Sequence, residues 1–391
     1  MRSIRTAIIV LLLPLGFLGG YLVGNRSTGD NTVHASSGQK GTAQGAAQLQ
    51  QTIIEYLQSR YYRAVDVSKL GQAGIDGMLK SLNDQWTEYL SPSLVRLFAQ
   101  DLQGTYSGIG ARLQMKGDRL LITSVFDGSP AQMAGLGVGD RIVSVDGRPT
   151  AGLSLVANTA HIKGAAGTKV TLVVAPAAGG PQRTLTLTRK ELAMPLTVHR
   201  MLHAGSVPVG YVALDQFSDG AGAQVHAALR DLIAKGAKWI IFDLRDNGGG
   251  LLSEAVDVSS DFMKGGVVVT TQGLHSPKTV LKAAAHEATS LPLVVLVNGF
   301  TASASEIVSG ALQDRHRAFL VGTKTFGKGL VQHILALPGG AALKLTTAIY
   351  LTPDGRNINK LGIRPDEVVR DNPKTKADEV LQAALKHIAA Q

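Results

Sequence analysis

The sequence predicts an α/β core with a largely parallel sheet, a compact β-module inserted ahead of it, and a short helical segment at the N-terminal side. Three observations carry this. From Val209 onward apolar strands alternate with helical stretches: GYVALDQF, then Val225, Leu229, Leu232 and Ile233 at helical spacing, then WIIFDL, LLSEAVDVSSDFM, VVVTT, LVVLVN, SASEIVSGALQD and AFLVG. That rhythm is the signature of βαβ units. Between Tyr106 and Glu191 the texture is instead short strands punctuated by glycine, as in GIGARLQ, LLITSVF, RIVSVDG, KVTLVVA and RTLTLTR, which fits a small β-module. Before it, Ile53, Ile54, Leu57 and Tyr61, and again Ile75, Met78, Leu79 and Leu82, recur at helical spacing.

Composition narrows the function classes. With 45% apolar and 17% charged residues, the chain is neither disordered nor fibrous. Lys and Arg outnumber Asp and Glu by 39 to 29, a net charge of +10. The basic residues form no run of five and no stripe interleaved with aromatics, and no zinc-ligand set accompanies them. The charge therefore reads as a diffuse basic surface, not a nucleic-acid site. Cysteine is absent, which excludes disulfides, thiolate catalysis and cysteine-held metals.

The N-terminal residues set a compartment. Arg2 and Arg5 precede Ala7–Gly24, a stretch without Asp, Glu, Lys or Arg. Basic residues ahead of an apolar segment place the start in the cytoplasm and the rest outside. Val33-His34-Ala35 has the small-residue spacing of a signal-peptidase site, but it lies well past the apolar stretch, so an uncleaved anchor over 1–26 is expected. Residues 27–48, rich in Ser, Gly, Thr, Gln and Ala, read as a tether. The helical segment is then assigned to 49–103, the β-module to 104–192, and the α/β core with a C-terminal helix to 193–391.

Ligands in such sheets collect beyond the C-terminal ends of the strands. Two segments fall there: Asp246–Gly250 after WIIFDL, and Gly299–Ser303 after LVVLVN. Ser303 opens the next helix, where a hydroxyl is exposed over the positive helix terminus and backbone N–H groups are at hand for an oxyanion. The same stretch, Ser303-Ala304-Ser305-Glu306, is also an S-x-x-E capping box in which Ser would merely cap. A serine nucleophile needs a base, and no histidine lies in either segment. Lysine serves when an apolar site keeps it neutral, since its ordinary value near 10.4 leaves it protonated at neutral pH. Lys328, flanked by Gly327 and Gly329, suits that role. Gln332 lies four residues on, and on a strand both side chains would share a face. Gly322–Lys328 also fits the phosphate-loop pattern G-x-x-x-x-G-K, but Gly329 and a strand-like LVQHILAL follow instead of Ser or Thr and a helix. An N–H from the Gly248–Gly250 loop and that of Ala304 would together make a two-donor oxyanion hole. In the β-module, Gly108-Ile109-Gly110 leads into a strand, an arrangement whose N–H groups capture a chain-terminal carboxylate while the tail adds as a strand.

Together these segments resemble the C-terminal processing peptidases, tail-specific serine proteases with an embedded PDZ domain. The resemblance spans about residues 50–370 and rests on YSGIGARL, GSPAQMAGLGVGDRIVSVDG, GYVALDQFS, DLRDNGGG, TASASEIVSGALQD, GTKTFGKGLVQ and YLTPDGRNINKLGIRPDE. It implies a crotonase-like peptidase core with a PDZ insert. By position, Ser303 resembles the nucleophile, Lys328, 25 positions later, the general base, and Gln332 the residue that orients the lysine. The same spacing selects Ser303 over Ser305. Oxyanion donors fall on Gly249 and Ala304, and tail binding on Gly108, Ile109 and Gly110. At the end of the PDZ helix, where related proteases that gate on substrate are expected to carry Arg, this sequence has Lys163. The implied protein is an extracytoplasmic endopeptidase, on the periplasmic or cell-surface side and anchored in the cytoplasmic membrane. Its partners would be proteins with free apolar C-terminal tails; a homo-oligomer is compatible, no nucleic acid is expected, and no metal or cofactor is required. Two alternatives are a non-catalytic PDZ scaffold, which would tolerate loss of Ser303 or Lys328, and a crotonase-like acyl-CoA enzyme, which does not explain the insert.

Overall fold

A computed structural model describes residues 43–391 apart from 373 and 376, and the chain divides into two compact units at Tyr89/Leu90. The expected anchor Ala7–Gly24 lies outside the described residues. Among the described residues no helix is long and apolar enough to cross a membrane.

The first unit holds the helices Ala43–Arg60 and Val67–Ser81. The first begins inside the 27–48 segment read as a tether, because Ala and Gln there propagate a helix once Ile53, Ile54 and Leu57 supply its apolar side. Asp66 caps the second helix, accepting from Ser68 and Lys69 N–H at 3.1 and 3.3 Å. The helix Pro92–Leu102, capped by Ser91, falls in the second unit.

The β-module is antiparallel throughout. Its strands Ala111–Lys116, Arg119–Val125, Arg141–Val145, Lys169–Ala175 and Arg183–Thr188 pair in the order in which they occur. Strict alternation buries Val170, Leu172 and Val174 on one face of Lys169–Ala175, where they join Ile109, Leu120, Ile122, Ile142 and Leu187 in a separate core. Ala111–Lys116 stands at the sheet edge, and the helix Leu155–Ile162, capped by Ser154, completes the module. Thr105–Gly108 pairs with Lys190–Ala193, so the chain enters and leaves the module through one two-stranded neck.

The core sheet runs Thr197–Ala204, Val207–Leu214, Trp239–Asp243, Leu293–Val297, Ala318–Gly322, Glu367–Val368. Its first pair is an antiparallel hairpin; the other four pairings are parallel. Both faces are covered. Val212, Phe242 and Val295 pack under the helices Ala221–Ala234, Leu252–Phe262 and Ala304–Asp314, while Tyr211, Ile241, Val294 and Leu296 pack against Val380, Ala384 and Ile388 of the C-terminal helix Glu379–Ala389. Fully apolar strands such as Leu293–Val297 follow from this two-sided burial.

The largely parallel arrangement is confined to this one core sheet: over the described residues as a whole the strand pairings are mostly antiparallel. Val267–Gln272 does not extend the parallel sheet. It pairs antiparallel with Thr279–Lys282 and with Ala342–Leu351, which in turn pairs antiparallel with Leu330–Ala336. Strand–helix alternation could not reveal this, because Val267–Gln272 is followed by a short return strand and not by a crossover helix.

Candidate active site

Three neighbouring parallel strands release their chains at one edge of the core sheet. Trp239–Asp243 is followed by Leu244–Gly250, Leu293–Val297 by Asn298–Ser303, and Ala318–Gly322 by Thr323–Gly329. The candidate residues on the second and third of these loops, Ser303 and Lys328, are brought together here, with Gly249 on the first.

Ser303 sits at φ +55°, ψ −118°, immediately before the helix Ala304–Asp314. A non-glycine residue in that region costs about 1–3 kcal/mol and persists only where its surroundings over-determine it. Those surroundings are built largely from one residue. Glu306, 0% exposed, accepts from Ser303 N–H at 3.0 Å and Lys328 N–H at 2.8 Å on Oε2. On Oε1 it accepts from Gly327 N–H at 2.8 Å and the Thr325 hydroxyl at 2.5 Å. The S-x-x-E pattern is therefore present, but its carboxylate reaches beyond its own helix to fix the lysine loop. Ser305 is fully buried, with Oγ 2.9 Å from Asn247 Oδ1 and 3.0 Å from its carbonyl oxygen. Its hydroxyl is committed to that contact, which leaves Ser303 as the reactive candidate.

Tyr350, on Ala342–Leu351, lies 1% exposed with its hydroxyl donating to the carbonyls of both Ser303, at 3.1 Å, and Lys328. Burial first, and the nearby Glu306 charge second, push its phenol well above the ordinary value, so it remains a donor.

Lys328 is half-buried in the irregular loop ahead of Leu330–Ala336, not on the strand itself, and the strand carries a register shift between Val331 and Gln332. The even spacing of Lys328 and Gln332 therefore does not by itself put them on one face, as strand periodicity alone suggests. Gln332 Nε2 is buried and has no hydrogen-bond partner among the described residues. The glycines flanking Lys328 are required by close approach. A Cβ on Gly327, at φ +92°, would meet the Lys360–Gly362 backbone at 3.0–3.1 Å, and one on Gly329 would meet Asn359 N at 2.6 Å. The strand that follows also removes the phosphate-loop alternative.

Gly249 lies against the serine turn. At φ +98°, a Cβ there would stand 2.7–2.8 Å from Ala302 O, Ala304 N and Ser303 Cβ. Its N–H donates to Asn247 Oδ1 at 2.9 Å, so it reaches an oxyanion only when that bond opens. Asn247 is a buried hub, donating from Nδ2 to Leu214 O at 2.8 Å and accepting from Ala302 N–H at 3.0 Å. Behind it, the Arg245 guanidinium binds Asp243 at 2.7 Å and Asp378, the cap of the last helix, at 2.7 Å. Burial alone would lower the Arg245 value; the two carboxylates outweigh it and hold the group charged. Sequence reasoning misses Arg245, Asn247 and Tyr350, although DLRDNGGG and YLTPDG contain them, because their work is done by contacts between distant segments. Among the described residues, no group of three or more His, Asp or Glu side chains is arranged to hold a metal ion.

In the β-module, Gly108 closes the neck strand and Ile109 is buried, its carbonyl accepting from Ala131 N–H at 2.7 Å. A Cβ on Gly110, at φ +83°, would stand 2.1 Å from Ser129 Cβ. Together they lead into the edge strand Ala111–Lys116. Lys163 ends the helix Leu155–Ile162, with Nζ 6.0 Å from the Tyr106 ring centroid. The Tyr106 ring lies over Gly108, and burial foremost raises its hydroxyl to about 12.

A buried serine turn, a glycine-flanked lysine and a PDZ-like module define a class, and comparison with known proteins defines it further. The Peptidase family S41 description matches residues 208–369 and the PDZ domain description residues 100–175. A carboxyl-terminal-processing protease of Picosynechococcus sp. is 38% identical over 298 residues, 76% of this chain and 72% of that protein. A probable CtpA-like serine protease of Staphylococcus aureus (strain COL) is 34% identical over 352 residues, covering 88% and 69%. A photosystem II D1 C-terminal processing protease structure aligns with TM-score 0.53 and 31% identity, over 88% of this chain and 92% of that one. The chain belongs to peptidase family S41: it is a serine-type endopeptidase of the C-terminal processing group, with a PDZ domain.

Proposed function

We propose that this peptidase works outside the cytoplasm, takes hold of protein C-terminal tails through its PDZ domain, and cleaves them with a Ser303–Lys328 dyad. The observation that carries the catalytic part is the shared acceptor: Ser303 and Lys328 N–H groups meet on the same Glu306 oxygen.

In this mechanism neutral Lys328 takes the Ser303 hydroxyl proton as Oγ bonds to the peptide carbonyl carbon. The negative oxygen is received by the Ala304 N–H and by Gly249 N–H once released from Asn247. The lysine then gives its proton to the leaving amine as the C–N bond breaks. Water, deprotonated by the same amine, attacks the acyl-enzyme, and the ester bond to Ser303 breaks as its hydroxyl is restored. Gln332 is proposed to orient the lysine amine by a hydrogen bond. The free tail would pair with Ala111–Lys116 while its carboxylate meets the Gly108–Gly110 N–H groups. Lys163, at the same end of the module, is proposed to contribute to tail binding. The extracytoplasmic placement rests on Arg2, Arg5 and the uncharged Ala7–Gly24.

Replacing Gly110 would disturb the module through the Ser129 contact, so tail recognition is better tested on the substrate. A disordered, apolar-tailed protein is incubated with wild type and with Ser303→Ala, and the products are read by mass spectrometry. Wild type should cut the free acid, cut its C-terminal amide far more slowly, and Ser303→Ala should cut neither. Equal cleavage of acid and amide removes the tail-binding role.

A further inference from the structure

The Glu306 carboxylate grips the two candidate catalytic residues at their N–H groups. The matching carbonyls, of Ser303 and Lys328, converge on the Tyr350 hydroxyl. We propose that Tyr350 is a positioning residue, whose single hydroxyl proton, shared between these carbonyls, sets how the serine and lysine loops face one another. This rests on the Ser303–Lys328 reading above.

Several features favour positioning over simple core filling. Tyr350 comes from an antiparallel strand, outside the parallel sheet whose loops carry the pair. It therefore references both loops to a third element. Its backbone is held on the same side, its N–H donating to Gly329 O at 3.1 Å. Ser303 occupies a strained conformation, and its carbonyl also accepts from the N–H groups of Glu306 and Ile307 at 2.8 and 2.9 Å. Without the phenol the helix would still hold that carbonyl, while Lys328 would lose its link to it. The loss would fall on the relation between nucleophile and base, not on substrate binding.

Tyr350→Phe keeps the ring that fills the core and deletes only the oxygen. Peptide hydrolysis and the rate of Ser303 modification by a fluorophosphonate are measured for wild type, Tyr350→Phe, Ser303→Ala and Lys328→Ala. Rates are counted per titrated site, and melting curves are taken alongside. The expected result is a kcat lower by about tenfold or more, KM within about twofold, and slower phosphonylation at temperatures well below the melt. A merely structural hydroxyl would lower the melting temperature and leave kcat and phosphonylation per site unchanged, and that result overturns the inference. If Ser303→Ala or Lys328→Ala stays active, the dyad reading fails instead, so the two failures are distinguishable.

Discussion

Ser303 and Lys328, 25 positions apart in sequence, both donate their backbone N–H to Glu306 Oε2, at 3.0 and 2.8 Å. A buried carboxylate that accepts four donors, two on each oxygen, cannot be replaced by an amide without turning one acceptor into a donor facing donors. Glu306→Gln should therefore destabilise the protein, at about 1–3 kcal/mol for each buried donor left unmet. It should also reduce kcat by roughly two orders of magnitude, because the serine and lysine loops lose their common anchor. Calorimetry and steady-state kinetics check both; an active, fully stable Glu306→Gln protein would be incompatible with this geometry.

The two serines of the motif should behave differently. Ser305→Ala removes one buried hydrogen bond to Asn247, a cost of about 1 kcal/mol, while Gly249 and Ala302 still satisfy that residue. Its kcat/KM should stay within an order of magnitude of wild type. Ser303→Ala should leave stability nearly untouched and abolish hydrolysis. Reversal of these outcomes would move the nucleophile to Ser305.

Gly249→Ala tests the glycine loop. The added methyl would have to displace Ala302 O, Ala304 N or Ser303 Cβ, from which it would stand 2.7–2.8 Å. Since these atoms belong to the turn that carries Ser303, the proposed nucleophile, roughly hundredfold loss of kcat is expected, with KM little changed. Gly248→Ala meets nothing within 4 Å and serves as the control. Equal activity of the two variants would show that the loop does not support the serine.

Legibility in the sequence depended on whether the information was local. The β-module is legible from strand punctuation; Ser303 and Lys328 stand out as candidates from their places after an apolar strand and between two glycines, while the choice of Ser303 over Ser305 comes from the family resemblance. The antiparallel return of Val267–Gln272 was not, because a strand's partner is set by connections beyond its own residues. Lys328 and Gln332 look strand-paired by number, yet Lys328 precedes the strand and a register shift intervenes. Glu306 was visible as a cap; that its carboxylate holds a loop some twenty residues away required the folded chain.

A pH prediction comes from Asp261. Its side chain is 1% exposed, bonded through Oδ1 to His226 Nδ1 at 2.7 Å, with Oδ2 unpartnered among the described residues. Burial, the largest influence, raises it above the usual aspartate value, against the opposing pull of His226. The folded state thus binds this proton more tightly than the unfolded state. Its contribution to stability is complete below the unfolded value and is lost as pH rises through the folded one. Other carboxylates, such as Asp378, are shifted down and act oppositely, so the comparison is with Asp261→Asn. The stability of wild type relative to this variant should fall as pH rises from the ordinary aspartate range. A pH-independent difference would show that the carboxyl is not desolvated.

Covalent trapping is the sharpest probe of a serine nucleophile activated by a lysine from the neighbouring loop. Wild type, Lys328→Ala and, as a control, Lys324→Ala, which alters an exposed lysine of the same loop, are exposed to a fluorophosphonate, digested, and mapped by mass spectrometry. An adduct should form on Ser303 in wild type and in Lys324→Ala, and none in Lys328→Ala at the same exposure. An adduct on Ser305, or equal labelling of Ser303 with and without Lys328, would overturn the dyad.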